Sequence, residues 1–123
     1  MYKREQGQSL VEFALSLTVL LVIFLGVFDL GRVFNSVMVI TNAAREGAYY
    51  GAMHPEDSGG IVAHAMQEAQ GSGITPTAVS VSTSGVSGTP LSVTVEYDFS
   101  LLSSFLPVTS IIHLRRSAEM VIY

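Results

Sequence analysis

The sequence predicts an α+β fold: a long N-terminal α-helix, membrane-spanning in its first half and amphipathic in its second, packed on a small three-stranded antiparallel sheet with one short helix. Three patterns predict it. An apolar run near the N-terminus continues without a break into a segment of helical periodicity. The stretch HPEDSGG then stops the helix, because proline removes a backbone donor and clashes with the preceding turn. Beyond Ile74 the apolar period changes to two, which is the spacing of strands.

The first element is the apolar run. From Phe13 to Phe28, FALSLTVLLVIFLGVF contains no charge and no proline. Counted from Leu10 it is roughly nineteen residues, close to the twenty or so that carry an α-helix across a bilayer. It is apolar on every side, unlike a soluble surface helix, and a chain of 123 residues has too little mass to wrap such a helix in a core. Ser16 and Thr18 can bond back to the preceding helical turn, so their hydroxyls do not oppose insertion. Lys3, Arg4 and the amino terminus precede the run, which by the positive-inside rule keeps that end cytoplasmic and sends the rest outward.

The second element follows directly. DLGRVFNSVMVITNAAREGAYYGA lacks the small-x-small cleavage site that a removable secretory signal needs, and it keeps a helical pattern. Leu30, Val33, Val37, Ile40, Ala44 and Ala48 recur on one side, and Asp29 and Arg32, three apart, can pair. One unbroken helix is therefore expected from Gln8 to Met53. Ala43, Gly47 and Gly51, spaced by four, make a stripe of small residues that lets a sheet or another backbone approach closely. The chain's own sheet is the expected occupant. Gly26 and Gly31 lie inside the helix, where they permit bending or close packing of neighbours in lipid.

The remaining elements form a headpiece. IVAHAMQEAQ reads as a short helix with Asp57 or Ser58 as cap, Gly71 as stop, and Ile61, Ala65 and Ala69, with Val62 and Met66, on its inner face. AVSVSTSG is a strand, and VSGTP supplies the turn. In LSVTVEYDF, Leu91, Val93, Val95, Tyr97 and Phe99 alternate with polar residues, as in a strand buried on one face. IIHLRRSAEMVIY is the closing strand, with Arg116 interrupting its inner face. The connector Leu101, Leu102, Phe105 and Leu106 is either a contact surface or a lid over the core. The organisation is then 1–7 a leader, 8–28 the membrane half of the helix, 29–54 its amphipathic half, and 55–123 the headpiece.

Composition narrows the function. Charged residues make up 13% of the chain, against about 25% in an ordinary soluble domain, while 49% are hydrophobic, a composition that argues against disorder. The six basic residues are scattered and form no stripe for a phosphate backbone, which disfavours nucleic acid as a partner. The absence of cysteine excludes disulfides, thiolate metal sites and a cysteine nucleophile. His54, His64 and His113 share no metal-ligand spacing, and no phosphate-binding loop, dinucleotide fingerprint or nucleophile elbow occurs. No enzyme, metal or cofactor is expected.

The remaining signal sits at the mouth of the span. Gly7 is followed, at the fifth place beyond it, by Glu12 and then by the aromatic Phe13. Together with the basic leader and the stretches GVFDLGRVF and NAAREGAYYGA, this resembles the processing site and helix of type IV pilin-like precursors, specifically the TadE-like pseudopilins of tight-adherence (Flp) pilus systems. The resemblance covers Gly7 to about Ala52. It implies a pilin-like fold, cleavage between Gly7 and Gln8 by a membrane-embedded prepilin peptidase, and assembly with other pilin subunits at an inner-membrane platform. It also implies a single-pass membrane stage followed by an extracellular pilus or a periplasmic pseudopilus. Main and minor subunit roles both remain open. On physical grounds, cleavage would expose a cationic amine on Gln8 that Glu12 of an adjacent copy can meet, fixing register, because a desolvated charge left alone is costly. The plainer alternative is a helix-start carboxylate interacting with the macrodipole. A permanently anchored scaffold of a secretion machine, and a membrane-tethered enzyme using His64 or His113, are the competing functions.

Overall fold

The structure is a computed structural model that describes residues 2–101 and 111–123, with side chains from residue 5 onward. Helix α1 spans Tyr2–Met53, 52 residues in all, or about 78 Å at 1.5 Å per residue. It starts six residues earlier than expected. Lys, Arg, Glu and Gln are good helix formers, and a single glycine costs about 1 kcal/mol, too little to stop a helix that the apolar run continues. The last helical bond is donated by the N–H of His54 to the Tyr50 carbonyl, 2.9 Å. Pro55 follows directly.

Helix α2 spans Ser58–Gly71. Asp57 is its cap, its carboxylate accepting from the N–H of Gly60 at 3.0 Å. Gly73, with φ of +83°, turns the chain toward the sheet, a conformation that suits a residue without Cβ. Strands β1 (Ala78–Ser82), β2 (Pro90–Ser100) and β3 (Ile111–Val121) form an antiparallel meander in the order β1-β2-β3. This is the α+β architecture the sequence predicts. Connector residues Leu102, Phe105 and Leu106 lie outside the described residues.

Burial follows the predicted alternation on β2. Leu91, Val93, Val95 and Phe99 are buried, with Tyr97 partly so. They face α1, and Ile61, Ala65 and Ala69 of α2 complete the core. A Cβ on Gly51 would stand 2.9 Å from a Leu91 methyl, and one on Gly47 3.1 Å from a Val93 methyl. At the other end, Arg32 donates to the Ser100 carbonyl. So β2 descends along α1 toward the apolar half and β3 climbs back, ending where the N–H of Tyr123 donates to the Ala52 carbonyl. Arg116, opposite Val95, is exposed on the outer strand.

One core expectation changes. Leu30 is exposed, at 56%, while Asp29 beside it is buried. Among the described residues the sheet ends near the level of Arg32, and the buried side chains of α1 at this level, Asp29 and Ser36, are polar. Higher up, the small stripe is tightly filled. Gly51→Ala meets only the mobile tips of Leu91 and Ile61, and its gain in helix propensity, about 1 kcal/mol, offsets the crowding. Gly51→Leu has no such escape and is expected to lower unfolding stability by about 1–3 kcal/mol. Urea unfolding of both variants in detergent, followed by tyrosine fluorescence, checks this contrast.

Candidate functional site

Two ends of the apolar half of α1 carry the chemistry. At the first, Gly7, Gln8, Glu12 and Phe13 are all exposed, and a Cβ on Gly7 would meet nothing within 4 Å. Gln8 and Glu12 are four residues apart, so they lie on one helix face, about 6 Å apart along the axis. A second helix shifted by one turn would bring its Gln8 level with this Glu12. Between the two ends, the most apolar 18-residue window is 0% buried within the chain. Leaving a Leu or Phe side chain in water forgoes about 1.5–3 kcal/mol each, so this surface requires lipid or other helices around it. Thr18 bonds back to the Ala14 carbonyl at 2.8 Å, which removes its polar cost. Gly26 and Gly31 face open space.

At the second end, Arg32 ties helix to sheet. Its Nη1 lies 3.2 Å from Asp29 Oδ1 and 3.4 Å from the Ser100 carbonyl oxygen. The guanidinium also sits 4.8 Å from the centre of the Phe99 ring, a cation–π contact. The Asp29–Arg32 pair follows from helical spacing alone. Its attachment to Phe99 and Ser100 does not, because it joins residues 68 positions apart. Ala43, Gly47 and Gly51 are buried against the chain's own sheet and α2.

A third cluster sits at the top, where α1 meets α2. The Tyr50 ring is stacked between His54, at 4.6 Å, and His64, at 4.0 Å, and its hydroxyl donates to Asp57 Oδ2 at 2.7 Å. That hydrogen bond holds the Asp57 carboxyl below its ordinary value of 3.8, helped by the Gly60 N–H, and raises Tyr50 above 10.0. Since Asp57 is depressed in the fold, its contribution is present above the unfolded value and lost as pH falls through the folded one. Thermal stability should therefore drop from about pH 4 downward, and less steeply in Tyr50→Phe. Thermal scans across that range test the difference. The sequence placed Asp57 at the cap of α2 but did not foreshadow the stack; His64 joins Tyr50 through the α1–α2 turn.

His113 stands on the outer sheet face against Asp98, with Glu96 at 4.0 Å. The sheet thus separates it from His64, so the two imidazoles do not share a site. Among the described residues, no three His, Cys, Asp or Glu side chains gather to hold a metal ion.

Comparison with known proteins reaches the first two of these regions. Residues 7–48 match the family model described as TadE-like protein. No curated protein and no solved structure matches the chain. The matched segment begins at the glycine, passes through Glu12, the apolar span and the Asp29–Arg32 pair, and ends within the small-residue stripe. Over residues 7–48 the chain is similar to TadE-like proteins, and among the described residues one helix is long and apolar enough to cross a membrane.

Proposed function

We propose that the chain is a structural pilin-like subunit, cut after Gly7 by a prepilin peptidase and then assembled from the membrane into a pilus or pseudopilus. The observation that carries this reading is the wholly uncovered apolar half of α1, with Gly7, Gln8 and the lone charge Glu12 at its mouth. Lys3 and Arg4 hold that end on the cytoplasmic side, so the headpiece faces outward. The bilayer solvates the span of the single subunit; the spans of neighbouring subunits replace the lipid once assembly begins. Cleavage leaves an amine on Gln8, and the pairing of that amine with a neighbour's Glu12 selects the axial register. Other pilin subunits and an inner-membrane assembly platform are the partners this requires.

The competing reading, a single-pass scaffold that keeps its first seven residues, draws on one observation: α1 continues unbroken through Gly7. Shearing of cells separates the two. An assembled subunit is recovered in the sheared surface fraction or in periplasmic multimers, whereas a scaffold stays entirely in the membrane fraction as a full-length chain.

A further inference from the structure

We propose that the lower end of the headpiece is itself a membrane contact, seated in the lipid headgroup layer around Arg32, Ile111 and Phe34. The inference rests on the span crossing a bilayer, and it begins with lengths. The charge-free run Phe13 to Phe28 rises about 24 Å, and the longer stretch from Leu10, which takes in Glu12, about 28 Å. A hydrocarbon core is about 30 Å thick, so the helix has no slack to lift its first outer charge away from the bilayer. Asp29 is therefore held at the hydrocarbon edge. Arg32, one turn on, stands only about 5 Å higher. A whole bilayer of about 40–45 Å leaves roughly 5–8 Å of headgroup layer on each side. Arg32 is inside that layer.

The sheet comes down to the same depth. Arg32 bonds the Ser100 carbonyl, and Ser100 pairs with Ile111. Ile111 is 54% exposed, and Leu30 and Phe34, on either side of Arg32 along α1, are 56% and 62% exposed. Apolar side chains around an arginine are the composition of an interfacial anchor. Asp29 pairs with Arg32 and offsets its charge at this end. The contact is made by apolar insertion and does not select anionic lipid.

Because the chain has no cysteine, single cysteines carrying a polarity-sensitive dye report depth without interference. Ile111→Cys, Leu20→Cys and Ser80→Cys variants of the full chain are reconstituted into phosphatidylcholine vesicles, with and without phosphatidylglycerol, and quenched by nitroxide-bearing lipids. Ser80 pairs with Thr94, six residues up β2 from Ser100, or about 20 Å higher. The expected result is strong quenching at 20 by acyl-chain nitroxides, strong quenching at 111 by headgroup nitroxides, and emission retained at 80, in both lipid mixtures. Quenching at 20 without quenching at 111 overturns the contact while leaving the span intact. Equal quenching at 111 and 80, or quenching at 111 only with phosphatidylglycerol, also overturns it. No quenching at 20 removes the spanning helix and the contact with it.

Discussion

Glu12→Leu is expected to leave the chain shortened after Gly7 and to abolish its incorporation into multimers. The argument is one of magnitude. As an ordinary helix-start carboxylate, Glu12 contributes about 0.3–1 kcal/mol through the macrodipole, less than a tenfold change. As the partner of a desolvated amine on a neighbouring helix, its loss leaves that amine buried and unpaired, at about 3–5 kcal/mol for each contact. That is a hundredfold or more in each subunit addition. Glu12→Gln keeps shape and polarity but not charge, so it should behave like Leu in assembly if pairing is the role. Processing is unaffected in either variant, because the scissile bond lies four residues away. Cross-linking of membranes followed by gel electrophoresis reads both outcomes; multimers of the Leu variant at the normal level would return Glu12 to the macrodipole role.

Gly7→Leu is expected to do the opposite, leaving the full-length precursor in the membrane with no shortened product. Two effects add. Cleavage at a bond inside a helix requires the first turns of α1 to open, and replacing glycine by leucine strengthens the helix there by about 1 kcal/mol. The larger effect is steric: Gly7 offers a bare backbone, with nothing within 4 Å of its Cβ position, and a bulky side chain blocks close approach by a peptidase. A full-length chain and one cut after Gly7 would differ by seven residues and are resolved by intact mass. Normal shortening of the Leu variant would remove cleavage at this bond from the account.

Most of the architecture was legible because it is written in local patterns. The uncharged run with its basic flank, the cap at Asp57, the alternation on β2 and the closing strand each follow from side-chain chemistry over fewer than twenty residues. The length of α1 was underestimated at its start, since glycine there reads as punctuation while the flanking helix formers outweigh it. What sequence spacing cannot give is contact across the chain. The Arg32 clamp on Phe99 and Ser100 and the stacking of His64 on Tyr50 depend on the return of the sheet and on the α1–α2 turn. Leu30 was misplaced for the same reason: its periodicity is helical, but whether a helix face is covered depends on where the sheet ends. The motif at the mouth of the span was read from spacing and hydropathy together, and the partners proposed for it are other molecules that no single chain displays.

The central claim is that this apolar rod matures by losing its leader and then joins copies of itself or close relatives. Sequencing the amino terminus of the protein recovered from sheared or periplasmic multimers tests it most directly. Multimers beginning at Gln8 are the predicted result; multimers, or membrane-bound monomers alone, that still begin at Met1 would contradict it.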